Sequence, residues 1–210
     1  MKKLIETYQD IKDEIQTRLL KFKSNFKKDD TYILYELIFC LLTPQSKAKV
    51  CWNCVKEMID KNVVFNPTYK GILSCLKGVR FHNKKTKYIL EAIDKFKKNN
   101  RIVIKDTLMS FNSAFDMREY LVDNIKGMGM KEASHFLRNI GFGDELAILD
   151  RHILKNLKKY KVIDEIPKSL SKKKYLEIEE KMKNFSIKVN IPMDHLDLLF
   201  WYLETKEIFK

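Results

Sequence analysis

Leu121–Arg151 reads LVDNIKGMGMKEASHFLRNIGFGDELAILDR, and the fold turns on how this stretch reverses direction. Leu121, Val122 and Ile125 close one helical stripe, and Gly127 and Gly129 then supply the backbone freedom for a tight reversal. A second helix starts near Met130, with Ala133, Phe136, Leu137 and Ile140 recurring at helical spacing. Residues 121–140 therefore read as helix, glycine hairpin, helix. A helix that begins just behind two glycines turns its unpaired N–H groups outward, an arrangement that grips a phosphate without reading a base.

Two charged residues in the same stretch carry chemistry. Lys131 falls in the first turn of the second helix, where the positive end of the helix dipole disfavours another positive charge by about 0.3–1 kcal/mol. A structural lysine gains nothing there, whereas a nucleophilic one does, because its amine must be neutral to attack carbon. With 41 Lys and Arg residues in the chain, a solvated surface lysine is the ordinary reading, and position is what sets Lys131 apart. Asp150 follows Ala147, Ile148 and Leu149 and precedes Arg151, His152 and Ile153, the place of a helix N-cap. Capping alone accounts for an aspartate here, yet the two roles are compatible. One carboxylate oxygen can hold the helix start while the other stabilises positive charge developing on a sugar.

Away from this stretch helical periodicity continues. Leu4, Tyr8, Ile11, Ile15 and Leu19 mark a first helix, and Tyr32, Leu34, Ile38, Leu41 and Leu42 a second. Thr43-Pro44 reads as an N-cap and first-turn proline opening a helix to Asp60, and Asn66-Pro67 as the opening of another that ends near Gly78. Further helices are expected over 84–97, 113–124, 151–159, 171–184 and 193–205. Strand alternation is scarce and no repeat is evident, so the fold class is all-α.

With 45% hydrophobic and 33% charged residues, the 210-residue chain is ordinary for a globular protein and has room for one large or two small cores. A formal net charge of +13 predicts attraction to a polyanion. No apolar run approaches the roughly 20 residues that span a bilayer, and MKKLIET lacks the long apolar core of a signal peptide, so a cytoplasmic location is expected and no membrane partner. Cys51-x-x-Cys54 invites a metal or redox reading, but Val50, Cys51, Cys54, Val55 and Met58 fit one helical stripe, and small buried thiols explain the pair better. No metal site is expected.

Taken together, IKGMGMKEASHFLRNIG and AILDRHIL resemble the helix-hairpin-helix DNA glycosylase superfamily, whose bifunctional members place a nucleophilic lysine just after the G-x-G hairpin and a catalytic aspartate a helix and a loop later. Lys131 and Asp150 match those places. Within the superfamily the chain is most similar to the second, mainly archaeal, type of 8-oxoguanine DNA glycosylase and AP lyase. The resemblance covers almost the whole chain and is most specific over 121–154 and in the C-terminal WYLETKEIFK, which ends on Lys210 as that family does.

The resemblance implies two helical lobes with the active site in the cleft between them: a central lobe over 30–143, and a second lobe made of 1–29 with 144–210. Implied, too, are a substrate of double-stranded DNA containing 8-oxoguanine, excision through a Schiff base on Lys131, and strand cleavage by beta-elimination with Asp150 supporting the cationic sugar. Lys210 is implied to tell the oxidised base from guanine at N7, a donor in one and an acceptor in the other. An extruded purine also wants flat partners, and Trp201 and Phe81, in the GVRFHNKK loop, are the candidates; plain core packing is the competing explanation for Trp201. LLTPQSKA resembles the superfamily segment that fills the vacated place in the duplex, with Gln45 at the matching position, although an exposed glutamine in a first helical turn would look the same. Lys126, Gly127, Gly129 and Arg138 are expected to contact phosphate, and His82 and His152 are weaker candidates for DNA contacts. No cofactor is expected beyond a structural monovalent cation held by hairpin carbonyls, and the protein is expected to act as a monomer near the nucleoid.

Relatives of the endonuclease III branch carry a C-terminal four-cysteine iron-sulfur cluster, and this chain has no cysteine after Cys75. That absence, with Lys210, weighs against the first competing reading, a glycosylase of the same fold acting on oxidised pyrimidines or mismatches. The second, a non-catalytic module binding DNA backbone through its hairpin, leaves Lys131 and Asp150 without a role.

Overall fold

From Ile33 to Leu42 every residue of the second helix is buried, all but Tyr35 and Glu36 of them wholly apolar, so this segment is enclosed on every side and forms the axis on which its neighbours pack. In the computed structural model, which describes residues 1–209, the chain forms α1 (Lys2–Asn25), α2 (Asp30–Leu42), α3 (Ala48–Asp60), α4 (Tyr69–Cys75), α5 (His82–Phe96), a two-residue hairpin of β1 (Lys97–Lys98) and β2 (Arg101–Ile102), α6 (Ile104–Met109), α7 (Ala114–Asn124), α8 (Met130–Asn139), α9 (Arg151–Lys159), α10 (Lys172–Val189) and α11 (Met193–Thr205). The all-α expectation holds. Among the described residues no helix is long and apolar enough to cross a membrane.

The chain divides into two compact units, one made of Met1–Asn25 with the chain from Leu137 onward, the other of Phe26–Phe136. In the first, α11 packs on α1, α9 and α10. Its core joins Leu4, Ile11 and Ile15 of α1 to Leu196, Leu199 and Phe200 of α11, with Tyr160 stacked on Phe200 at 5.8 Å. In the second, α2 packs on α3, α5 and α6, and α4 bridges α3 and α5.

Several boundaries differ from expectation for local reasons. Thr43-Pro44 does not open α3. The Thr43 hydroxyl donates back to the Cys40 carbonyl at 2.9 Å, finishing α2, and Gln45 adopts a left-handed φ of 56° that no helix can pass. Helix α3 starts only at Ala48. Likewise α4 is capped by Thr68, whose side chain accepts from the Gly71 N–H at 3.0 Å, and not by Asn66. Helix α10 runs past the expected end at 184 because Phe185, Ser186 and Val189 are buried, and it stops at Asn190 in the left-handed conformation. The β1–β2 hairpin went unread: its strands are too short to alternate, and its turn is made by Asn99 and Asn100, both at positive φ as a two-residue hairpin loop requires.

The four cysteines are free and buried, in line with their reading as packed thiols. Among the described residues no cluster of three or more His, Cys, Asp or Glu side chains could hold a metal ion. Burial pushes the Cys51 thiol up to about 11. At about pH 8 only roughly 0.1% of such a thiol is thiolate, so native protein is expected to resist iodoacetamide, with full alkylation only after denaturation. Rapid labelling of Cys51 in folded protein, read by mass spectrometry, would show its side chain to be accessible.

Candidate active site

Between α7 and α8 the chain reverses in one turn, closed by the Met128 N–H on the Ile125 carbonyl at 3.1 Å. Gly127 carries the reversal with φ 86°, and a Cβ there would run into the ring of Tyr88 on α5, so both conformation and space demand glycine. Gly129 plays a different part from the one expected. Its φ is not in the left-handed region; it ends the turn as the residue whose carbonyl takes the first helical bond, from Ala133 at 3.0 Å. The N–H groups of Met130, Lys131 and Glu132 precede that bond and are the orphan donors of the helix start. Lys126, at the crest of the turn, is two-thirds exposed and paired loosely with Glu91 at 3.3 Å.

Lys131 lies in the first turn of α8 as expected, with its side chain 23% exposed and its Nζ 3.7 Å from Glu132 Oε1. Sequence reasoning missed Glu132. It stands three residues after Gly129, the place of the acid in a capping box, and its Oε2 would come within 3.1 Å of a Cβ on that glycine. An acid in the first turn is favoured by the helix dipole, and here it also provides a counter-charge beside the lysine.

Asp150 caps α9: its Oδ1 accepts from both His152 and Ile153 N–H groups at 2.8 Å. Among the described residues its second oxygen has no hydrogen-bond partner, and the side chain is half-buried. The segment leading into it is held by α10. Glu179 accepts from the Ala147 N–H at 2.8 Å, while the Tyr175 hydroxyl donates to the Ala147 carbonyl and accepts from the Leu149 N–H at 3.3 Å. Nothing in the sequence pointed to these two α10 residues as supports.

Two aromatic candidates differ from core residues. Phe81 is 55% exposed and occupies a left-handed backbone position, φ 58°, at the start of α5. A bulky residue held there against its conformational preference marks a constrained position. Trp201 is half-buried although Phe200 and Leu199 beside it are fully buried, and His152 packs edge-on against it at 5.0 Å. His152 thus packs on Trp201, and His82 bonds the Val79 carbonyl at 3.2 Å. Gln45 is exposed in the turn between α2 and α3. Lys210 lies outside the described residues.

Arg138 requires correction. It is not available to a phosphate, because its side chain is only 5% exposed, bonds Asp197 of α11 at 3.1 Å, and lies over the Phe22 ring at 4.6 Å. Burial without that carboxylate would strand a charge, so the pair is structural.

The model of the 8-oxoguanine DNA glycosylase family matches residues 15–191, which includes the hairpin, Lys131, Asp150 and the α10 supports. The chain belongs to the 8-oxoguanine DNA glycosylase family. It is 46% identical over 204 residues to the 8-oxoguanine DNA glycosylase/AP lyase of Fusobacterium nucleatum, covering 97% of this chain and 94% of that one. Among solved structures it is similar to the Methanocaldococcus jannaschii 8-oxoguanine glycosylase/lyase in complex with DNA containing 8-oxoguanine, at 41% identity and TM-score 0.89, covering 99% of this chain and 98% of that one. The 8-oxoguanine DNA glycosylase of Thermotoga maritima is also similar, at 32% identity and TM-score 0.87, over 100% of this chain and 97% of that one.

Proposed function

We propose that this glycosylase is bifunctional: it excises 8-oxoguanine from double-stranded DNA and cleaves the strand as an AP lyase, with Lys131 as nucleophile and Asp150 as the electrostatic partner. The observation that carries the reading is Lys131 in the first turn of α8, directly behind the Gly127 turn, in a chain of this family.

Chemistry on a stacked base requires that the nucleotide leave the duplex, at a cost of about a few kcal/mol that protein contacts must offset. The orphan N–H groups of α8 and exposed Lys126 hold the backbone phosphates. Gln45 enters the vacated place, and Phe81 and Trp201 flank the extruded purine. The neutral Lys131 amine then attacks C1′: the new C1′–N bond forms, the glycosidic bond breaks, and the base leaves carrying a proton. Ring opening gives the Schiff base, from which loss of the 2′ proton and of the 3′ phosphate cuts the strand. Asp150 stabilises the positive charge on the sugar through its uncommitted oxygen.

This chemistry needs no redox cofactor or metal. The carbonyls of Lys126, Gly127 and Met128 accept no hydrogen bond among the described residues, and they suit a structural monovalent cation at the hairpin. A DNA substrate supports a nucleoid-associated, cytoplasmic location for the protein.

Borohydride reduction during turnover of an 8-oxoguanine duplex tests the reading, since a Schiff base becomes a permanent adduct. No adduct with that duplex would overturn the lyase assignment. Removing Lys210 is expected to lower the ratio of 8-oxoguanine to guanine excision by about 10²-fold, because a site that depends on one hydrogen bond to separate two bases loses that separation with it. An unchanged ratio in single-turnover assays would remove Lys210 from the base pocket.

A further inference from the structure

Lys85 of α5 is buried, only 5% exposed, and does not belong to the machinery described above. Its Nζ donates to the Leu42 carbonyl at 2.7 Å, the Pro44 carbonyl at 2.7 Å and the Ser46 hydroxyl at 3.3 Å. An ammonium has three donors, and all three are taken by one short stretch between α2 and α3. The residue inside that stretch left pointing outward is Gln45, exposed and at a φ of 56°.

A non-glycine residue in the left-handed region persists only where its surroundings over-determine it. Here the surroundings are identifiable. The Ser46 hydroxyl that accepts from Lys85 also accepts from the Arg80 N–H at 3.0 Å, and the Leu42 carbonyl also takes the Cys51 thiol at 3.2 Å. Ser46 N–H closes the turn on the Thr43 carbonyl at 3.0 Å. Burial pushes the Lys85 ammonium below the usual lysine range, with repulsion from Arg80 and Lys131 in the same direction and Cys51 and Glu132 opposing, so the group keeps its proton through these oxygens and not through solvent.

We infer that Lys85 is a positioning residue for damage recognition: its ammonium acts as an internal cation that folds the Leu42–Ser46 turn and presents Gln45, already ordered, to the gap left by the extruded nucleotide. The inference rests on the reading of Gln45 as the gap-filling side chain. A side chain held in its working geometry loses less freedom on entering the duplex, which lowers the cost of flipping.

A double-mutant cycle tests it, using single-turnover excision from an 8-oxoguanine duplex, with thermal unfolding to confirm folding. Gln45→Ala and Lys85→Met are each expected to slow excision about 10-fold, and the double variant also about 10-fold, because effects through one shared element do not multiply. A double variant slowed about 100-fold would show that the two act independently and overturn the inference, as would Lys85→Met at the wild-type rate. If Gln45→Ala alone excises at the wild-type rate, the gap-filling role fails, and Lys85 cannot act through it. Should Lys85→Met not fold, Ser46→Ala keeps the ammonium and its two carbonyl bonds. It is expected to slow excision about 3-fold in the wild-type background and not at all beside Gln45→Ala; equal slowing in both backgrounds overturns the inference.

Discussion

Lys131→Gln is expected to form no covalent adduct with an 8-oxoguanine duplex under borohydride and to lose about 10³-fold or more in single-turnover excision. The amide of glutamine is close in reach to the amine but cannot attack C1′, so the covalent route closes while the rest of the site stays. The fold should survive. Lys131 is part-exposed and its contact with Glu132 is 3.7 Å long, a pair whose loss costs about 0–1 kcal/mol. Removing a positive charge from the first turn of α8 returns about 0.3–1 kcal/mol by easing repulsion with the helix dipole. DNA binding through the hairpin should persist, and a gel-shift assay would separate this outcome from misfolding. An adduct that still forms in the variant would place the Schiff base on another amine.

Asp150→Asn is the second large effect. The two N–H bonds that cap α9 both fall on Oδ1, and asparagine caps a helix about as well as aspartate. Unfolding free energy should therefore change by less than about 0.5 kcal/mol. On the proposed mechanism, what disappears is the negative charge that stabilises the developing cation on the sugar. Loss of one preorganised group of that kind slows the chemical step by about 10²–10³-fold. Asp150→Ala gives the contrast: it loses the charge and also the cap, adding about 1 kcal/mol of destabilisation visible in urea denaturation. If Asp150→Asn excised at the wild-type rate, the aspartate would be a cap and nothing more.

What could be read along the chain was whatever depends on near neighbours. The Asp150 cap and α9, Arg151–Lys159, lay where the local pattern put them, as did α11 and the end of α7 at Asn124. The glycine turn was legible because a left-handed backbone position, as at Gly127, favours glycine over any residue that carries a side chain. Local patterns also misled. Thr43-Pro44 carries the chemistry of a helix start, yet the Thr43 hydroxyl turns back to Cys40, and Gly129 resembles a second turn glycine while serving as a helix start.

Charged residues show the limit most clearly. Arg138, Lys126 and Lys85 are alike in composition, but one is locked to Asp197, 59 positions away, one is solvated, and one gathers carbonyls 41 and 43 positions away. Tyr175 and Glu179, which hold the approach to Asp150, are equally silent in sequence because their partners lie 26 to 32 residues off. Residue order alone was enough for most of the helices and for the glycine turn, and it singled out Lys131 as the candidate nucleophile, since each of these follows from bonds and spacings within one or two turns. Which cations face solvent and which lie inside the protein depended on long-range packing, because a charge's role is set by the solvent or counter-group that distant parts of the chain bring to it.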